Sequence, residues 1–419
     1  MQLTEDKELK DVFLNPAAQA LSRSTHQRQC PDVSDWQWID MGVLRTLKDV
    51  RSGRDFLEQW NLGNETQSVD YGQFFEIQRS ARRLGLVRDV NQQVAAGMGP
   101  HEYSNIDTLD GLSNFDIYAG DGHYIGASTH DERIDGKRRA VGHFYSLDFR
   151  SCAMTHLTGS DLQGGLKKSE HDMHALKRQN GETLRQGAKK GRKVLYVWDP
   201  AGIDFDQWDR WKRASGVYFL SRVKENMKFI EIKKQQWDPN LPVNAGVISD
   251  QRVHSASSLT TLRLITYQCP DSGKCYEFIT SEMTLAPGIL AWLYKRRWDL
   301  EKIYDTFKNK IAETKAWGKS DEAKQMQAQF ICLTHNLMLL LEQKTGITDQ
   351  KETNRAIRRF EGQVERATVF NRTFAPQHNN PRKRTQIGLK FIRWLRHQLD
   401  AAASFARACM RLRGIYDTF

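Results

Sequence analysis

The chain has no C-x-x-C pair, no Walker-type loop, no G-x-G-x-x-G and no G-x-S-x-G. These absences leave a zinc ribbon, nucleotide hydrolysis, dinucleotide binding and serine-esterase chemistry without support. It also lacks an apolar run of the roughly eighteen residues that a membrane span needs. Cysteine is scarce: Cys30, Cys152, Cys269, Cys275, Cys332 and Cys409 are scattered and write no disulfide framework. Cys269 and Cys275 flank the turn-like Pro270 to Lys274 and read as structural or incidental thiols of a reducing compartment. With 10 prolines and 29 glycines in 419 residues, a collagen-like or largely disordered chain is excluded. Met1 to Lys10 carries Glu5, Asp6 and Glu8 and no apolar core, so no secretory signal reads there and a cytoplasmic location is expected. No internal repeat or low-complexity tract appears, which sets aside solenoids and propellers.

What is present is 39% hydrophobic and 10% aromatic residues, enough for sizeable cores in roughly two to four domains. The 62 Lys and Arg exceed the 51 Asp and Glu, giving a net charge of +11 that favours a polyanionic partner. Residues 1–100 are close to neutral, with 12 basic and 14 acidic side chains. Gly165 to Val194 carries 9 basic against 3 acidic residues and Ala375 to Phe419 carries 9 against 2. Either run alone also suits a solvated helix face.

The pattern of the chain changes along its length. Residues 1–100 show helical spacing, as in Asp40 to Trp60 and Gly72 to Val87, and end at Gly97-Met98-Gly99-Pro100. Strands are expected at Phe115 to Tyr124, Ala140 to Phe149 and Cys152 to Leu157, then a basic helix from about Lys168 to Lys189. Val194 to Trp198 is continuously apolar and reads as a strand buried on both faces, ending at Asp199. A helix near Asp206 to Ala214 and a strand at Val217 to Val223 follow, an α/β order that places Asp199 where ligand sites usually lie. Lys228 to Met283 reads as an inserted antiparallel segment with strands at Phe229 to Lys233, Ala245 to Ile248, Leu262 to Gln268 and Tyr276 to Thr280. Thr284 and Pro287 open a long helix expected to reach about Ile311, followed by a helix at Ala323 to Leu341, a polar break at Gly346 to Lys351 and a basic helical remainder.

The long helix carries Tyr294, Arg297, Glu301 and Lys308 in the spacing Y-x2-R-x3-E-x6-K. At about 100° per residue these offsets fall within an arc of roughly 60°, so the four polar side chains share one stripe. Leu293, Leu300, Ile303, Tyr304, Phe307 and Ile311 form a neighbouring apolar stripe. Such a face also suits a plain i, i+4 salt bridge of Arg297 with Glu301, contributing about 0.2–0.5 kcal/mol. With two acids at strand ends upstream, however, a helix carboxylate completes the smallest set that can hold divalent metal against a phosphodiester.

The spacing resembles the Tyr-Arg-Glu-Lys signature of the DDE transposases of the insertion-sequence-four family. The resemblance covers about Asn114 to Leu341. It implies a ribonuclease-H-like catalytic core, a mixed α/β sheet with flanking helices, bearing one acid on the first strand, one after the fourth and one on a late helix. Carried over residue by residue, Glu301 takes the place of the glutamate and Asp199 that of the second aspartate. The first aspartate is matched by Asp121 in Ile117-Tyr118-Ala119-Gly120-Asp121-Gly122-His123, where small neighbours leave room for a metal and a phosphate, with Asp116 as its competitor. Pro200 departs from the basic residue that many relatives carry after the second aspartate. Arg222 and Lys224 resemble a basic pair ending the next strand, and both strand-end solvation and phosphate contact remain open for them. Trp237 and Trp298 are candidates for stacking a flipped base, against the ordinary reading of each as a core tryptophan.

The resemblance further implies two magnesium ions, replaceable by manganese, on Asp121, Asp199 and Glu301, with Tyr294, Arg297 and Lys308 toward DNA. Its partners would be double-stranded DNA, as element ends and target, and a second protomer in a homodimeric synaptic complex, with no membrane and no nucleotide cofactor. The implied reaction is cut-and-paste movement through a hairpin intermediate. The expected layout is a helical DNA-end-binding domain (1–100), the catalytic domain (101–227 and 283–345), a β-rich insertion (228–282) and a basic helical region (346–419). His171 and His174 lack an evident third ligand and read as a solvated face, and Asp204, Asp206 and Asp209 fall in a loop and helix beyond the strand end. A non-cleaving DNA-binding regulator and a nuclease without strand transfer remain the alternatives.

Overall fold

The apolar run at 194–198 has two faces to bury, and it forms the middle strand of a mixed α/β molecule. The computed structural model describes residues 7–48, 50, 52–100, 106–133, 136–138, 140–159, 172–255, 260–270, 272–311, 315–369 and 388–418. Five N-terminal helices come first: α1 (Leu9–Leu21), α2 (Asp35–Leu47), α3 (Gly53–Gly63), α4 (Tyr71–Ile77) and α5 (Ala81–Gly97). Then follow strands β1 (Phe115–Ile125), β2 (Val141–Asp148) and β3 (Met154–Gly159), short helices α6 (Asp172–Lys177) and α7 (Gly181–Leu184), β4 (Lys193–Trp198), α8 (Phe205–Ser215) and β5 (Val217–Arg222). The antiparallel segment contributes β6 (Ile230–Lys234), β7 (Val247–His254), β8 (Leu262–Gln268) and β9 (Cys275–Thr280). The chain ends with helices α9 (Pro287–Arg296), α10 (Trp298–Asn309), α11 (Asp321–Thr345), α12 (Gln350–Val369), α13 (Leu389–Asp400) and α14 (Phe405–Thr418).

The nine strands of the described residues join one sheet in the order β3-β2-β1-β4-β5-β9-β8-β7-β6. β1, β4 and β5 are parallel, and the remaining pairs are antiparallel. The β-rich segment continues the sheet edge-on, because β9 pairs with β5. Side chains alternate between the faces with period two. Ile117, Ala119, Leu195, Val197 and Leu220 join the core that includes Leu290, Leu300, Ile303, Phe307 and α11. Tyr118, Val194, Tyr196, Trp198 and Phe219 meet Trp208 and Trp211 of α8 on the other face. The first of these cores runs without interruption from Leu9 to Tyr416, so the N-terminal and C-terminal helices share it with the sheet. Among the described residues no helix is long and apolar enough to cross a membrane.

Three expectations are corrected. The long helix is two helices: at Arg297 the backbone makes the tighter bonds Arg297 N–H to Tyr294 O (3.1 Å) and Leu300 N–H to Arg297 O (3.0 Å). Between Asp172 and Lys189 the basic helix is broken into α6 and α7 because Asn180 caps the second, its side chain accepting from Thr183 N–H at 2.7 Å. The rest of that basic stretch, 160–171, including His171, lies outside the described residues, as does 370–387 of the C-terminal run. The strand expected at Ala245 to Ile248 instead spans Val247–His254, paired with β8 along its length.

Gly42 of α2 lies where α2 crosses α11, and a Cβ there would penetrate the fully buried Phe330 ring. Gly42→Ala gains helix propensity of about 1 kcal/mol, but overpacking is expected to outweigh it and lower stability by about 1–3 kcal/mol net. Denaturant unfolding checks this, and an unchanged or raised midpoint would contradict the packing described.

Candidate functional site

Gly120 and Trp198 are partners in the parallel β1–β4 register, so Asp121, inside β1, and Asp199, just past the end of β4, lie side by side. Strand spacing puts their backbones about 4.8 Å apart. By alternation both carboxylates share the face of Ala119 and Val197, which is the face covered by α9, α10 and α11. Gly120 makes room for the Trp198 ring, which a Cβ would overlap; its smallness therefore serves packing on the opposite face rather than space for a ligand. Asp199 caps the short turn Pro200–Gly202, its Oδ1 accepting from Ala201 N–H at 2.8 Å. Pro200 occupies the first turn position, where its missing N–H costs nothing.

Arg297 comes to these acids from the α9–α10 junction. It is 5% exposed, and its guanidinium donates to Asp121 Oδ2 at 3.0 Å and to Glu301 Oε1 at 3.1 Å. Burial alone would lower its pKa, but Tyr294, Asp121, Asp199 and Glu301 together hold it above the ordinary value. Glu301 is exposed on α10. Tyr294, half-buried, has its phenol pushed up by burial first and by Asp199, with Arg297 and Arg222 opposing. The guanidinium of Arg297 lies 5.7 Å from its ring centre. One strand, the end of its neighbour and the helices α9 and α10 thus gather three carboxylates, one guanidinium and one phenol.

Asp116 belongs elsewhere. It is five residues earlier on β1 and on the other sheet face, 8% exposed, where its Oδ2 accepts from Lys189 N–H at 2.7 Å. Its Oδ1 lies 3.3 Å from Arg192 and 3.6 Å from Arg150. Asp204 caps α8 and pairs with Lys177 at 2.5 Å, and Asp209 bonds Thr260. Arg222 ends β5 in solvent and Lys224 is half-exposed just beyond it. Trp298 is 63% exposed, which corrects its reading as a core residue. Trp237 is half-buried in the segment after β6, its indole Nε1 without a hydrogen-bond partner among the described residues. No hydrogen bond, ion pair or ring contact among the described residues joins it to the acids. Lys308 lies on α10, and its side chain falls outside the described part.

Tyr304 lies on the apolar stripe of the sequence, yet its hydroxyl donates to the Asp121 carbonyl at 2.8 Å and its ring stacks on His123 at 5.4 Å. It packs on Tyr145 at 5.8 Å, above the pair of buried His143 and half-buried His156. Burial pushes His143 down to about 3, so this support is neutral. A tyrosine at core spacing gives no sequence signal for such a backbone contact.

Oxygen donors alone suit a hard divalent ion. Among the described residues, no three His, Cys, Asp or Glu side chains stand ready to hold a metal. At this site Arg297 stands between Asp121 and Glu301. The fold and site define a mixed α/β protein with an acid cluster formed within β1, at the carboxyl end of the parallel strand β4 and on α10. No protein-family model and no curated protein matches the chain.

The two candidate aspartates are expected to differ in what their loss costs. Asp116→Ala strips Arg192 and Lys189 N–H of a buried acceptor and should cost about 1–3 kcal/mol. Asp121→Asn, at a half-exposed position, should cost less than about 1 kcal/mol. Paired unfolding curves decide, and the reverse order would contradict the assignment of Asp116 to packing.

Proposed function

We propose that the protein is a DDE-type DNA transposase resembling the insertion-sequence-four family, its ribonuclease-H-like unit built on β1 to β5 with α10. The observation that carries this reading is the gathering of Asp121, Asp199 and Glu301 around Arg297, from a first strand, the end of a fourth and a late helix. The donor set suits magnesium in kind, and Asp121, Asp199 and Glu301 would hold it. Bound there, magnesium would neutralise charge at the scissile phosphate and favour ionisation of the attacking hydroxyl. Clustered carboxylates beside DNA phosphates need such neutralisation, because like charges otherwise weaken binding.

The protein's own groups divide the remaining work. Arg297 offers a planar donor fork to a phosphate, and Lys308 is read as a second phosphate contact. Tyr294 stays protonated through neutral pH, so its hydroxyl can donate to the DNA backbone. Trp298 presents an exposed indole next to Arg297, and stacking of a base on such a surface contributes about 1–3 kcal/mol. Arg222 and Lys224 extend the positive rim at the end of β5. Double-stranded DNA is the substrate, with two protomers pairing two ends. Arg297 between Asp121 and Glu301 favours one second reading, a non-cleaving DNA binder, since the guanidinium already supplies part of the positive charge these acids require.

The test uses DNA bearing the sequences that flank the gene, with magnesium, and records nicking and joining separately. The intact protein is expected to cut and join, and Glu301→Gln to lose both by about a hundredfold or more, as when a charge acting in the transition state is removed. Cutting without joining would replace the proposal with a nuclease. Binding without cutting, indifferent to the substitution, would replace it with a regulator.

A further inference from the structure

A separate cavity of about 1140 Å³ lies between the N-terminal helices and the loops beyond β1 and α10. It shares no lining residue with the acid cluster. Its size is a little above the roughly 300–1,000 Å³ usual for small-molecule sites. Arg45, Arg54, Arg79, His130, Lys315 and Lys319 line it, and among its described lining residues there is no carboxylate. The first turns of two helices also face it, Ser52 to Arg54 of α3 and Ser320 to Ala323 of α11, adding the positive ends of their dipoles.

Two buried donors stand out in the wall. Gln78 is 1% exposed and Trp317 is 6% exposed, and Gln78 Nε2 and Trp317 Nε1 have no hydrogen-bond partner among the described residues. Arg45 lies against the Trp317 ring, 4.1 Å from its centre, and is 2% exposed. The deep end therefore offers N–H donors and positive charge. Unmet buried donors are costly, so a ligand matching them brings several acceptor oxygens. The outer wall differs in kind: Tyr71 is 46% exposed and Phe75 half-buried, their rings 4.7 Å apart. Arg54 donates to the Tyr71 hydroxyl at 2.8 Å and steadies that ring.

We infer that this cavity binds a nucleotide through its terminal phosphate, with the phosphate monoester at the donor-rich floor and the base against Tyr71 and Phe75. A terminal monoester presents three acceptor oxygens to the floor, whereas an internal phosphodiester presents two and must continue in both directions. The nucleotide can come from two sources, a free mononucleotide or the 5′-phosphorylated end of a strand. Neither depends on the acid cluster or on strand cleavage.

The full chain is titrated calorimetrically with thymidine 5′-monophosphate, with a five-residue oligothymidylate carrying a 5′-phosphate or a 5′-hydroxyl, and with inorganic phosphate. Binding of the mononucleotide supports the free source, and binding of only the phosphorylated strand supports the strand end. Gln78→Leu removes an unmet buried donor, so its thermal midpoint is expected to hold or rise while affinity falls. Arg79→Ala with Lys319→Ala, both exposed positions, should weaken binding by roughly tenfold or more at unchanged stability. Equal affinity for the 5′-hydroxyl strand, equal affinity for inorganic phosphate, affinity unmoved by these variants, or no binding of any probe would each overturn the inference.

Discussion

Arg297 holds together parts of the chain that are far apart in sequence. Its guanidinium is hydrogen-bonded at once to Asp121, 176 residues away, and to Glu301 on the next turn of chain. The arrangement requires three things. β1 must run parallel to β4 so that two aspartates emerge together, the helix must break at residue 297, and the apolar side of α10 must be buried on the Ile117 and Leu195 face. Leu300, Ile303 and Phe307 supply that burial, each side chain contributing about 1.5–3 kcal/mol. Such hydrophobic contacts position the charges, and the charges add little to stability that burial does not offset.

The same acids are the reason a cation is proposed there. Three carboxylates with one guanidinium leave an excess of negative charge at a half-open site over the middle of the sheet, where solvent screens only part of it. Arg297 answers a share of that charge, and in the proposed reading magnesium and a DNA phosphate compete for what the guanidinium now holds. The cavity between the N-terminal helices and the loop at 315–320 has the opposite character, with positive charge and unmet donors.

Much of this was legible in the sequence, for identifiable reasons. β4 follows from an apolar run that suits a strand buried on both faces, β1 and β8 from short stretches rich in β-branched and aromatic residues, and Asp199 from the end of the apolar run. The stripe of Tyr294, Arg297 and Glu301 was visible from helical spacing, but the break at Arg297 was not, since no glycine or proline marks it. Asp121 and Asp116 could not be separated by spacing; face alternation separates them, which requires knowing what covers each face. Gly120 gave a misleading clue, because its neighbour Trp198 fills the space its missing Cβ leaves. The Tyr304 contact and the cavity around Gln78 and Trp317 depend on long-range packing with no local pattern.

The central claim is that Asp121, Asp199 and Glu301 form one divalent-cation site. Ferrous iron bound there in place of magnesium, with ascorbate and peroxide, would generate hydroxyl radicals that cut the nearby backbone. The account predicts cuts confined to the neighbourhoods of residues 121, 199 and 301, suppressed together by added magnesium. Cuts at only one of the three, or cuts indifferent to magnesium, would contradict it.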